Sequence, residues 1–256
     1  MASKTIKYSS KKYLISYEML NPENEKIILF LHGWGASKEI MKKAFKDTFC
    51  DYKHIYVDMP GFGNSNIFSP LKTSDYSNII REFINSLPQK PDIILGHSFG
   101  GKVATLLNPK NLVLLSSAGI ISKKPFLVRV KIRIFKILKF FGFGRFYRVF
   151  ATKDISGMSV VMYETLKNVV DEDFSRKFKK FSNKAVIFWG ENDKATPLKN
   201  GEFIHSMIKD SSFYPLSGDH FFFLLHSKFI QDRVISDINS SSNIEDESCI
   251  EVVNKQ

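Results

Sequence analysis

Gly96-His97-Ser98-Phe99-Gly100 places one hydroxyl between two glycines, the G-x-S-x-G pattern of a nucleophile elbow. Ile93-Ile94-Leu95 run into it, as a buried strand would, and Lys102 to Leu107 suits a helix, with Pro109 as its stop. Such a turn holds the serine in a strained backbone conformation, and side chains two residues to either side would collide. The helix N-terminus below it supplies free N–H groups and partial positive charge where an oxyanion would form. A serine used in this way needs a base and an acid that orients the base.

Six histidines are available. His32 and His97 lie inside glycine turns and read as structural. His54 opens a strand, and His205 and His226 fall within helices. His220, in Ser217-Gly218-Asp219-His220, sits in a loop after the last short strand and is the candidate base. Asp193 ends an apolar strand in Gly190-Glu191-Asn192-Asp193, where a carboxylate faces the functional edge of a sheet. Glu191 and Asp219 compete with it.

Strands are expected at Tyr13–Met19 (an edge strand), Lys26–Leu31, His54–Asp58, the elbow, Leu112–Leu115, Ala185–Trp189 and Phe213-Tyr214. Helices are expected at Ser74–Leu87, after the elbow, at Glu202–Ile208 and at Phe222–Ile238. Strands alternating with helices predict a mostly parallel α/β sheet flanked by helices. Residues 117–183 are too long for one connection and read as an inserted helical cap, with helices near Val128–Phe141, Val160–Val169 and Phe174–Phe181. The core then comprises 1–116 and 184–238. The Ser/Asn-rich and acidic tail, 239–256, is expected to be disordered.

The sequence resembles the α/β-hydrolase superfamily, in its capped esterase, carbon–carbon hydrolase and epoxide-hydrolase-like branch. The similar stretches are His32-Gly33-Trp34-Gly35, Asp58-Met59-Pro60-Gly61-Phe62-Gly63-Asn64-Ser65, the elbow, Gly190-Glu191-Asn192-Asp193 with Pro197, and Gly218-Asp219-His220. The resemblance implies the α/β-hydrolase fold and a catalytic triad of Ser98, Asp193 and His220. It also implies an oxyanion hole made by the backbone N–H groups of Trp34 and Phe99. Serine at the elbow argues against the dehalogenase and epoxide-hydrolase chemistries, which use aspartate there. The expected function is a serine hydrolase that cleaves a small or medium acyl ester or thioester without a cofactor or metal. The alternatives are a carbon–carbon hydrolase of a ring-cleavage-type diketone, or a binding protein on a hydrolase fold. The substrate-binding residues are not legible.

Composition bounds the partners. The apolar fraction of 43% fills a sizeable core, and the net charge is +11. No zinc, RNP or helix-turn-helix signature accompanies that charge, so nucleic acid is not an expected partner. Lys123 to Phe150 holds nine Lys/Arg and no acid. On a helix, Val130, Ile134, Ile137, Leu138 and Phe141 share one arc, opposite Arg129, Arg133, Lys136 and Lys139. The plain reading is a cap helix with solvated charges. The sharper readings are an anionic membrane surface or an acidic carrier protein. Cys50 and Cys249 share no metal-ligand spacing and read as free thiols. With no spanning apolar run and no secretory signal visible, a cytoplasmic protein is expected.

Overall fold

A computed structural model describes residues 2–121 and 158–253, with side chains described as far as residue 240. One eight-stranded sheet dominates it, in the order β1-β2-β4-β3-β5-β6-β7-β8. The strands are β1 (Ala2–Tyr8), β2 (Lys11–Leu20), β3 (Ile27–Leu31), β4 (Lys53–Val57), β5 (Ile93–His97), β6 (Asn111–Leu115), β7 (Lys184–Gly190) and β8 (Ser211–Leu216). β1 and β2 pair antiparallel, as do β2 and β4. Every pairing from β4 through β3, β5, β6 and β7 to β8 is parallel. The sequence therefore forms the expected mostly parallel α/β sheet.

The short apolar strands are buried on both faces, and their alternation divides the core into two layers. Ile27, Leu29, Leu31, Ile94, Leu112, Leu114, Ile187 and Trp189 face one layer. There they meet α2 (Thr73–Asn85), α3 (Phe99–Leu107), α4 (Val160–Val169), α5 (Ser175–Lys180) and α6 (Leu198–Met207). Ile28, Phe30, Ile93, Leu95, Val113, Leu115, Val186 and Phe188 face the other layer, against α1 (Lys38–Phe45) and α7 (Phe223–Val253). Continuous apolar runs such as Ile27–Leu31 are what a strand covered on both sides requires.

Three features differ from the sequence expectation. β2 is not the edge: β1 pairs along it through a two-residue turn in which Ser9 and Ser10 both have positive φ, 45° and 63°. That is the backbone of a tight primed hairpin turn, formed here without its usual Asn-Gly signal. α1 was also not legible. It is capped by Ser37, whose side chain accepts from the Glu39 N–H, and its buried stripe is only Met41, Ala44 and Phe45 with the stem of Lys38. The third concerns the C-terminal residues. α7 kinks at His226 and its backbone then stays helical to Val253, beyond the expected helix end at Ile238. Propagation from a packed helix costs less than nucleating one, so weak formers such as Ser240 and Asn243 continue it.

Of the proposed insertion, α4 and α5 lie within the described residues, and the basic Val128–Phe141 helix lies outside them. Among the described residues no helix is long and apolar enough to cross a membrane.

Candidate active site

Ser98 stands between β5 and α3 with φ 50° and ψ −113°. A non-glycine residue there is strained, and such strain persists only where the surroundings over-determine it. Here the Ser98 N–H donates to the Leu115 carbonyl at 3.0 Å, and the Ser98 carbonyl accepts from Gly101 and Ala118, each at 3.0 Å. The flanking glycines answer to close packing. A Cβ on Gly96 would lie 2.5 Å from the Gly100 carbonyl oxygen, and one on Gly100 would lie 2.4 Å from the Leu31 oxygen. The turn is thus clamped between the ends of β3 and β6. Phe99 is the first residue of α3, so its N–H has no acceptor within the helix.

The loop after β3 lies against this turn. A Cβ on Gly33 would be 3.2 Å from Ser98 Cβ. His32, fully buried, fixes that loop from beneath: its Nδ1–H donates to the Gly33 carbonyl at 2.8 Å, and its Nε2 accepts from the Met59 N–H at 3.1 Å. Burial pushes His32 down to about 4, so the ring is neutral and the two bonds set its tautomer. The Trp34 ring packs edge-on against Phe62 and Phe99, with centroids 4.9 and 5.6 Å apart. Trp34, Phe62 and Phe99 therefore form one aromatic cluster.

His220 follows β8, and Asp193 follows the adjacent strand, β7. The strand ends are stitched together by Glu191 N–H to the Leu216 carbonyl and Asn192 N–H to the Gly218 carbonyl, both at 2.9 Å. His220 Nδ1 lies 2.7 Å from Asp193 Oδ2. Asp193 is buried, and its other oxygen accepts from the Ala195 and Thr196 N–H groups at 2.8 and 2.9 Å. Burial alone would raise this carboxyl. The bonds from His220 and Thr196 outweigh it and hold Asp193 at about 2. Of the two competing acids, Asp219 is engaged in its own turn, accepting from the Phe221 N–H at 2.8 Å, and Glu191 is exposed.

Several supporting residues escaped the sequence reading. Thr196 is one: its hydroxyl lies 2.8 Å from Asp193 Oδ2 and 3.2 Å from the Ser116 carbonyl. The Asp-x-x-Thr spacing, familiar from turns in which an acid takes the N–H groups two and three residues on, was the available signal. Lys38 is another. Fully buried, it sets Nζ 2.6 Å from Asp58 Oδ2, while its N–H donates to Oδ1 at 2.8 Å. Asp58 also accepts from the Asn64 N–H at 3.0 Å, so this pair holds the whole 58–65 turn. Lys102 on α3 donates to the Val169 carbonyl at 2.6 Å and lies 3.1 Å from Glu172, which also meets the Thr73 hydroxyl. No spacing rule links a cation to acids so distant in the chain. Among the described residues, no group of three or more His, Cys, Asp or Glu is arranged to hold a metal ion.

With that geometry established, comparison with known proteins decides the family. The model of the Alpha/beta hydrolase family matches residues 28–227, which include Ser98, Asp193 and His220. The chain belongs to the alpha/beta hydrolase family. Curated relatives match over shorter stretches. The pimeloyl-[acyl-carrier protein] methyl ester esterase of Pseudoalteromonas atlantica is 36% identical over 87 residues, 33% of this chain and 33% of that protein. Its namesake from Proteus mirabilis is 30% identical over 93 residues, 35% of this chain and 34% of the relative. The matched stretches thus span about a third of the length of these relatives. Among solved structures, an esterase from Exiguobacterium antarcticum superposes with a TM-score of 0.72 at 20% identity, covering 93% of this chain and 100% of that one. A meta-cleavage product hydrolase from Pseudomonas fluorescens gives 0.68 at 16% identity, covering 93% and 98%. At such identities these two likenesses speak for the fold.

Proposed function

We propose that this protein is a serine hydrolase that cleaves a carboxylic ester or thioester of a small or medium acyl group. The reading rests above all on the 2.7 Å contact between His220 Nδ1 and the ionised Asp193, delivered by two adjacent strand ends beside a strained Ser98.

The steps come from the proton inventory. Asp193 accepts from Nδ1–H of His220, which leaves Nε2 as the base. His220 takes the Ser98 proton as Oγ attacks the carbonyl carbon, and the negative oxygen is held by the Phe99 and Trp34 N–H groups. His220 then returns the proton to the leaving alcohol or thiol, giving an acyl-enzyme. A water, deprotonated by His220, repeats the addition and releases the acid. No cofactor enters.

Two finer statements belong to the same reading. The segment 117–183 serves as a cap over the sheet edge, with 1–116 and 184–238 as the hydrolase core. The favoured acyl group is one carried by an acidic acyl carrier protein. The curated relatives are named for such a substrate, and nine Lys/Arg without an acid between Lys123 and Phe150 would complement its charge. A cytoplasmic setting goes with a carrier-protein substrate.

The test is a substrate panel with purified full-length protein: p-nitrophenyl esters of increasing acyl length, a methyl ester of an acyl carrier protein, its thioester, and a ring-cleavage diketone. Ester hydrolysis that depends on Ser98 is expected. Turnover of the diketone alone would move the assignment to carbon–carbon cleavage, and no turnover with no serine labelling would indicate a binding protein.

A further inference from the structure

His97 ends β5 one residue before Ser98, is buried, and lies outside the triad. Its Nε2 is 3.0 Å from the backbone carbonyl of His220, 123 positions away in the chain. A carbonyl only accepts, so Nε2 carries the hydrogen and Nδ1 is bare. Nδ1 has no hydrogen-bond partner among the described residues and is crowded by Gly33, whose Cβ, if it had one, would be 2.9 Å away. A buried acceptor left unsatisfied costs stability and calls for an explanation. The ring also packs on the base itself and on two phenylalanines just after it. Centroid distances are 4.6 Å to His220, 5.4 Å to Phe221 and 4.7 Å to Phe223 of α7.

We propose that His97 is a positioning residue for the reaction: its Nε2–H holds the His220 carbonyl and so ties the base to the strand that carries the nucleophile. The inference rests on the assignment of Ser98 as nucleophile and His220 as base. Ser98 and His220 are far apart in the chain, and their relative placement must be held to within a fraction of an ångström for proton transfer. Asp193 orients the imidazole ring through its side chain but does not set the height of the His220 backbone. The other bonds of that loop are internal to it, run to α7 or tie it to the turn after β7, as with the Phe221 N–H to Asp219, Nε2–H of His226 to the Ser217 carbonyl at 2.8 Å, and the Asn192 N–H to the Gly218 carbonyl at 2.9 Å. His97 supplies the link across to β5.

The charge state of His97 fits the role. Burial, aided by the neighbouring His220, pushes it down to about 3, while Asp193 and the His220 carbonyl pull weakly the other way. The titratable groups facing it are His220 and Asp193 at the strand ends and His32 after β3. A ring that stays neutral keeps its single donor on Nε2 and does not repel the imidazolium that His220 becomes during attack. The bare Nδ1 is then the consequence of reserving the only hydrogen for the His220 carbonyl.

Two substitutions separate this role from simple packing. His97→Gln keeps a donor at about the reach of Nε2, and His97→Leu keeps bulk without one. The measurements are kcat and KM on a p-nitrophenyl ester, the rate of Ser98 labelling by a fluorophosphonate, the pH profile of kcat/KM, and thermal melting. In His97→Leu, kcat and the labelling rate should fall on the order of 10–100-fold, as for a small misplacement of a catalytic group, with KM nearly unchanged. The acid limb of the pH profile should shift as the base loosens from Asp193, and His97→Gln should recover most of the rate. Should His97→Leu fail to fold, His97→Asn replaces it. Its amide is too short to reach the carbonyl and should be slow where Gln is fast. Wild-type rates and an unmoved profile in the donor-less variant would overturn the proposal, as would a Gln variant no faster than Leu or Asn. If the wild type itself is not labelled at Ser98, the assignment of the nucleophile fails first and takes this inference with it.

Discussion

Asp193 takes a hydrogen bond from His220 on one oxygen and two N–H bonds on the other, which is why its carboxyl is held at about 2 although buried. Asparagine in its place would offer an N–H₂ where the imidazole needs an acceptor, so Asp193→Asn should lower kcat by about 10⁴ with the fold intact. Asp219→Asn should leave most of the activity, and the reverse pattern would transfer the role. The pH consequence has a definite sign. The folded-state value lies below the ordinary 3.8, so the pair's contribution to stability is fully present above pH 3.8 and disappears as pH falls towards 2. Acid melting curves should show that loss, flattened in Asp193→Asn. Thr196→Val removes one hydroxyl from the same carboxylate, and a moderate fall in kcat, about tenfold, is expected from a bond of about 1–1.5 kcal/mol. At this scale glycines and loop position are what single out Ser98 and His220 as candidates in the sequence. The sequence was silent on Lys38 and Lys102, whose partners are set by tertiary packing, whereas Thr196 carried only the local Asp-x-x-Thr spacing.

Each element of the site is held by a bond that reaches beyond it. α3 carries the elbow, and through Lys102 it grips Val169 and Glu172 between α4 and α5. Lys102→Met fills the same space but leaves the Val169 carbonyl unpaired and Glu172 without its cation. A cost of about 1–3 kcal/mol is expected, since Glu172 is partly wetted. The thermal midpoint should fall, while kcat on a small ester should change little, because Lys102 touches the end of α4 and Glu172 and not Ser98, Asp193 or His220. A large kcat loss at full stability would make Lys102 part of the chemistry. α7 poses the opposite case. Ile230 and Val234 are buried, Ile235 and Ile238 pack beside them, and Asp237 meets the Tyr214 hydroxyl, all before residue 239. Truncation after Ile238 should therefore leave melting and esterase activity almost unchanged, and a drop of many degrees would show that the last helical turns dock. Apolar runs located seven of the eight strands. β1 was missed because only Ile6 is buried in a lysine-rich stretch and its Ser-Ser turn carries no standard signal.

For the whole molecule, the sheet order brings the ends of β3, β5, β7 and β8 to one edge, so residues spread from Trp34 to His220 converge there. The five separated motifs of the sequence follow the same order: each lies at or just beyond the end of β3, β4, β5, β7 or β8, and parallel strands put all such turns on the same side. Pairing order and the lysine bridges are not local properties, so no window of sequence displays them. The central claim is that this edge activates Ser98, and it is tested most directly by reacting the full-length protein with a fluorophosphonate and mapping the adduct by mass spectrometry. A single adduct on Ser98 is predicted, absent in Ser98→Ala and strongly slowed in His220→Ala, with ester turnover in Ser98→Ala reduced on the order of 10⁴–10⁶. Equal labelling of Ser98→Ala, or ester hydrolysis by that variant at the wild-type rate, would contradict it.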